Sequence, residues 1–152
     1  MDNEIYMKQC IEIAKQSGDI EEIPVWSLLI QNNIILAKSH NTSINKNDPT
    51  AHAEINVIRE ACIKINNYRI NNSVLFTTLE PCLMCIAAIC EARIDQVFFG
   101  AYVNSELSIE EKFIYLKRNH NLDHTPKFIG GILQEECSLL IKNFFKNKRR
   151  QF

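Results

Sequence analysis

Two short segments, His52-Ala53-Glu54 and Pro81-Cys82-Leu83-Met84-Cys85, constrain this chain more than any other feature of it. They supply one histidine and two cysteines, all good zinc donors, and one carboxylate that need not bind zinc. A structural zinc site is closed by four protein ligands, whereas a catalytic site keeps three and leaves the fourth position to water. His52, Cys82 and Cys85 make three. The i, i+3 spacing of Cys82 and Cys85 suits a helix starting at Pro81, because residues three apart share a face and a proline in the first turn has no N–H to leave unpaired. Such a start directs partial positive charge at the sulfurs and favours the thiolate form that zinc requires. Glu54, two residues after His52, projects to a different side of its own helix and is predicted to flank the metal.

The combined pattern, H-x-E followed by P-C-x-x-C, resembles the zinc-dependent nucleobase deaminases. A C-x-x-C alone leaves metal, redox and packing roles open, and the added His-x-Glu and proline decide for the metal. Zinc brings the pKa of its bound water down to about 7, so a nucleophile is available at neutral pH without a strong base. The resemblance therefore implies attack by a zinc-bound hydroxide. It makes Glu54 the shuttle that takes the water proton, delivers it to a ring nitrogen and helps protonate departing ammonia, a contribution of ~10²–10⁴-fold.

The bulk properties bound the rest. A chain of 152 residues is expected to form one domain over 1–152, and 46% hydrophobic with 23% charged residues is a globular composition, not a disordered one. No apolar run approaches the ~20 residues that span a bilayer. Met1-Asp2-Asn3-Glu4 is acidic where a secretory signal would be basic, so a cytoplasmic location is predicted. Cys10, Cys62, Cys90 and Cys137 fall in apolar or amphipathic stretches and read as reduced core residues. The formal net charge of −1 excludes a globally basic nucleic-acid binder and leaves only a local patch for such a partner.

Along the chain, Tyr6, Cys10, Ile13 and Ala14 predict a helix near 3–17 that Gly18 would stop. Val25–Ile30 and Ile34–Ala37 read as strands joined through Asn32-Asn33, since asparagine tolerates the left-handed backbone of a tight hairpin. Residues 41–50 read as a loop. A second helix should begin near Pro49-Thr50, with Ala53, Val57, Ala61 and Ile58, Cys62, Ile65 as its buried stripe. Ser73–Leu79 reads as a buried strand, Pro81–Ala92 as a third helix and Gln96–Tyr102 as the next strand, an alternation that implies parallel crossovers. A weakly patterned helix over 106–119 and a short strand over Lys127–Gly130 follow. The last helix carries Cys137, Leu140, Ile141, Phe144 and Phe145 at i, i+3, i+4, i+7, i+8.

The likeness extends beyond the zinc motifs. Asp48-Pro49-Thr50-Ala51-His52-Ala53-Glu54, then Thr78-Leu79-Glu80-Pro81-Cys82, then Gly130-Gly131-Ile132-Leu133 with Cys137, Phe144-Phe145-Lys146 and Arg149-Arg150, closely resemble the bacterial tRNA adenosine deaminases. That family belongs to the cytidine deaminase-like superfamily. The resemblance implies an α/β, three-layer α-β-α fold with a mixed five-stranded sheet and helices on both faces. It implies one zinc ion with its catalytic water, a homodimer, and conversion of the wobble adenosine of a tRNA anticodon stem-loop to inosine.

By the same resemblance His52, Cys82 and Cys85 hold zinc, and Asn41 hydrogen-bonds the flipped base. Ala53 and Pro81, beside the ligands, are further candidate substrate contacts, and so is Trp26, which reads either as core filling or as reshaping the base pocket. Three departures bear on substrate choice: Trp26 stands where the family usually has glycine, Val103 where it has aspartate, and Asn104-Ser105-Glu106-Leu107 replaces the usual loop. Lys142, Lys146, Lys148, Arg149 and Arg150 form a tract without acids. It reads either as a phosphate-binding patch or as a solvated helix end, and the resemblance favours RNA. Two other functions stay open, deamination of free guanine or cytosine-type bases and a non-catalytic, zinc-containing RNA-binding partner.

Overall fold

The computed structural model describes residues 2–16 and 21–150. Its order is α1 (Asn3–Gln16), β1 (Trp26–Gln31), β2 (Ile34–His40), α2 (Ser43–Lys46), α3 (Ala53–Ile65), β3 (Ser73–Leu79), α4 (Leu83–Glu91), β4 (Gln96–Ala101), α5 (Ile109–His120), β5 (Lys127–Ile129) and α6 (Gln134–Arg150). The expected stop at Gly18 lies outside the described residues. One mixed sheet runs β2-β1-β3-β4-β5, with β1 antiparallel to both neighbours and β3, β4 and β5 parallel.

Strand composition accounts for this order. The central strands are apolar on both faces and buried almost throughout, as a sheet covered by helices on both sides requires. β2, which buries one residue fully, and β5, which has three residues, take the edges. Leu28, Ile30, Phe76 and Phe98 face α1 and α6, while Leu29, Leu75 and Val97 face α3 and α4. Ile86, Cys90, Phe99 and Phe113 bind α4 to α5 on that second side.

Asparagine does here what glycine does elsewhere. Asn32 and Asn33 both take positive φ, 51° and 61°, and make the expected hairpin turn, while Asn47, Asn66 and Asn121 close α2, α3 and α5 in the left-handed region.

Three expectations need correction. The loop 41–50 contains the four-residue α2, held by a carboxylate from outside it. α3 begins at Ala53 and not near Pro49, because Asp48 turns the chain back through its bonds to Thr50 before the helix can start. Pro81 does not occupy the first turn of α4, since Cys82 is the N-cap and Pro81 precedes it. The expected last helix is α6, whose stripe buries Cys137 fully and packs Leu140 on the same cluster, while Phe145 is 46% exposed. The start of α5, weakly patterned by hydrophobicity, is set by a capping box in which Ser108 and Glu111 bond each other's backbone N–H.

Candidate active site

Both motifs sit where a helix begins just beyond the sheet. His52 and Cys82 are the N-caps of α3 and α4, each with extended backbone and no side-chain capping bond, so imidazole and thiol are free to turn toward each other. Cys85 lies one turn into α4 and is buried. The N-terminal end of α4 lies at Cys82, where its backbone N–H groups favour negative charge on the sulfur. The loop that delivers His52 is tied down by Asn56, whose amide donates to the His40 carbonyl at 2.8 Å and to Thr42 Oγ1 at 3.0 Å.

The donor atoms form a nearly equilateral triangle. Cys82 Sγ lies 3.6 Å from His52 Nδ1, Cys85 Sγ 3.5 Å from it, and the two sulfurs are 3.6 Å apart. With Zn–S of about 2.3 Å and Zn–N of about 2.0–2.1 Å, a tetrahedron has S···N edges of about 3.6 Å and S···S edges of about 3.8 Å. The donors present therefore fit three corners of a tetrahedral zinc site. Among the described residues these three form the only group of potential ligands with mutual distances within 4.8 Å.

Glu54 stands beside the triangle, 4% exposed, with Oε2 3.6 Å from Cys85 Sγ and Oε1 accepting from the Thr77 hydroxyl at 3.1 Å. Burial pushes its carboxyl above the ordinary range and the nearby Cys82 sulfur adds to that, while its backbone and Thr77 hydrogen bonds pull it back. Cys82 is drawn down to about 5, chiefly by the thiol hydrogen bond from Cys85. Cys85 moves up, because it is hydrogen-bonded to the Cys82 sulfur, buried, and next to Glu54. Three acidic groups thus crowd a space that holds one negative charge comfortably, and a divalent cation is the group that relieves this.

A cavity of about 160 Å³ opens onto these residues. That is roughly five water molecules' share of liquid volume, enough for a planar ring system. Asn41, His52, Ala53, Glu54 and Cys82 line it, as do Ile23, Val25, Leu79, Glu80 and Val103. The motif residues and Asn41 are therefore brought together, and the departure at Val103 stands in the wall. Pro81 is buried directly before Cys82 without lining the cavity. Trp26 is also absent from the wall: it packs against the cluster facing α1 and α6, and its ring lies 4.7 Å from that of His40. The five α6 cations do not line the cavity either. None is in an ion pair among the described residues, and Lys148 stacks over Phe144.

Two buried carboxylates at this site lie outside the sequence expectations. Glu22 accepts a bond from Asn41 Nδ2 at 2.7 Å. Glu80 pairs with Lys112 at 3.0 Å and accepts the Val103 N–H at 3.0 Å, which fixes the cavity wall to α5. Neither belongs to a metal motif, and apart from the Ile23 N–H on Glu22 the partners of each are remote in sequence. The acids Glu21-Glu22 and the Thr-Leu-Glu preceding Pro81 were the available signals.

Comparison with known proteins agrees with this geometry. The family model for the cytidine and deoxycytidylate deaminase zinc-binding region matches residues 1–101. A tRNA-specific adenosine deaminase of Buchnera aphidicola subsp. Baizongia pistaciae is 41% identical over 149 residues, covering 95% of this chain and 89% of its own. A solved structure from work on A-to-I editing by tRNA:A34 deaminases superposes with a TM-score of 0.79 at 32% identity, covering 88% of this chain and 96% of the other. The guanine deaminase of Bacillus subtilis superposes with a TM-score of 0.65 at 30% identity, covering 97% and 95%.

Proposed function

This chain belongs to the cytidine and deoxycytidylate deaminase zinc-binding family, and from that premise we propose that it hydrolyses adenosine to inosine at the wobble position of tRNA. The single observation that carries the chemistry is the three-donor triangle with a buried carboxylate beside its open side. The substrate is read from relatives. The tRNA-specific adenosine deaminase at 41% identity outweighs the guanine deaminase at 30%.

His52 Nδ1, Cys82 Sγ and Cys85 Sγ would hold the zinc. When bound, zinc supplies a Lewis acid that makes water nucleophilic near neutral pH. Glu54 takes the water proton on its carboxylate, transfers it to a ring nitrogen of the base as C6 is attacked, and assists the departure of ammonia. Thr77 holds one oxygen of Glu54 so that the other faces the reacting atoms. Asn41 offers its amide to the base, and apolar Ile23, Val25, Leu79 and Val103 exclude water around it. A wobble adenosine suits this cavity because it is already single-stranded, and extruding it costs a few kcal/mol at most.

The α6 cations, Lys142, Lys146, Lys148, Arg149 and Arg150, would hold phosphates of the stem-loop, a reading supported by their freedom from ion pairs among the described residues. We place the whole chain in one deaminase domain acting as a homodimer in the cytoplasm. A groove lined by Ile55, Ile58, Tyr68, Met84 and Ala88, with Thr50, Arg59 and Glu91 also in its wall, supports a second copy there. No described helix is long and apolar enough to cross a membrane. Incubation of the zinc-loaded protein with an adenosine-34 stem-loop, guanine and cytosine in parallel tests the assignment. Ammonia from the stem-loop alone is expected. Ammonia from a free base alone transfers the assignment to that base, and zinc and RNA binding without ammonia leaves a binding protein.

A further inference from the structure

Donors from four residues converge on one buried carboxylate at the cavity's edge. Glu22 is 3% exposed. Its Oε2 accepts the backbone N–H groups of Ile44 and Asn45, both at 3.0 Å, and its Oε1 accepts Asn41 Nδ2 at 2.7 Å and the Ile23 N–H at 3.3 Å. No cation pairs with Glu22 among the described residues. A carboxylate can only accept, whereas an amide has a donating NH₂ and an accepting oxygen and is by itself free to sit either way round. With Glu22 on one side, the Asn41 NH₂ must turn toward it. Oδ1 then turns to Ser43, whose hydroxyl donates at 3.1 Å. One Nδ2–H is engaged by Glu22, and the other remains on a residue that lines the cavity.

We infer that Glu22 is a positioning residue for base recognition, orienting the Asn41 amide so that an N–H is offered to a ring-nitrogen acceptor of the purine. It thereby favours bases with an acceptor at that edge over bases carrying a donor there. The inference rests on the reading of Asn41 as a contact to the base. The bland alternative is that Glu22 only closes the loop around α2, whose first N–H groups it also satisfies.

The two differ in how they depend on the substrate. Glu22→Gln and Asn41→Ala are assayed on stem-loops carrying adenosine, 3-deazaadenosine or 7-deazaadenosine at the target position, with zinc content measured in each protein. On adenosine, Glu22→Gln should lower kcat/KM about 10-fold, the loss of one well-placed hydrogen bond. On the analogue that lacks the recognised nitrogen the same substitution should cost under about 3-fold, because there is no acceptor left for Asn41 to reach. Equal losses on all three substrates would reduce Glu22 to a loop support and overturn the inference alone. Equal losses for Asn41→Ala as well would remove the base contact, and the inference with it. A reversed pair, Glu22→Gln with Asn41→Asp, covers the case of a poorly folded single variant. It restores a donor–acceptor bond but presents only oxygen to the cavity, so thermal stability should recover while activity stays about 10-fold down. Recovery of activity in that protein would also overturn the inference.

Discussion

Thr77→Val isolates the control of the proton shuttle. Thr77 is fully buried on β3, and its hydroxyl lies 3.1 Å from Glu54 Oε1. Valine keeps the branched shape in a strand that favours it and deletes that single hydrogen bond. A hydrogen bond to a charged acceptor contributes about 1.5–3 kcal/mol, a factor of about 10–100 in an equilibrium. The Glu54 pKa should therefore move. Its direction is upward, because burial already raises the carboxyl and the Thr77 bond opposes that rise. Glu54 acts as a base only when deprotonated, so the acid limb of kcat/KM moves to higher pH. Rates below the limb fall about 10–100-fold, while the plateau above it is nearly retained, since a more basic carboxylate accepts a proton no less well. The assay is inosine formation from the stem-loop between pH 5 and 9 at constant ionic strength, with zinc content and thermal midpoint measured alongside. An acid limb that stays in place, or a loss uniform across pH at unchanged zinc content, would refute the reasoning.

Four further outcomes are expected. Glu54→Gln should keep zinc at one per chain and lose about 10²–10⁴-fold in turnover, read by metal analysis beside ammonia release. Gly100→Ala should be strongly destabilising, by about 1–3 kcal/mol, because the new methyl would meet Cys137 Cβ at 2.7 Å and the Thr78 carbonyl at 3.0 Å and push α6 off the sheet; thermal melts report it, and Cys137→Ala should restore part of the loss. Ser27→Ala should leave stability unchanged or raise it by up to about 1 kcal/mol, since the buried Ser27 hydroxyl has no hydrogen-bond partner among the described residues; its melting curve decides. Neutralising the five α6 cations should flatten the salt dependence of RNA binding by about 0.7 in log–log slope for each phosphate that is no longer neutralised and leave zinc content intact, and an unchanged slope would free α6 of that role.

The residue types and local spacing of this chain determined its metal chemistry before any fold was known. A histidine, two cysteines at i, i+3 and an adjacent glutamate carry their roles in their functional groups, and short-range backbone geometry is enough to group them in pairs. Strand and helix assignments followed from periodicity for the same reason, and the Asn32-Asn33 turn followed from the tolerance of asparagine for positive φ. What the tertiary structure decided depends on pairing between distant segments. Trp26 is kept out of the cavity by alternation along β1, which sends it with Leu28 and Ile30 toward α1 and α6. The same alternation, in register with β3, puts Thr77 on the Glu54 side. Glu22 and Glu80 gain their partners only when the loops around α2 and ahead of α5 close over the strand ends. A hydrogen bond between residues remote in sequence is set by register and loop closure, and no local pattern of side chains encodes it.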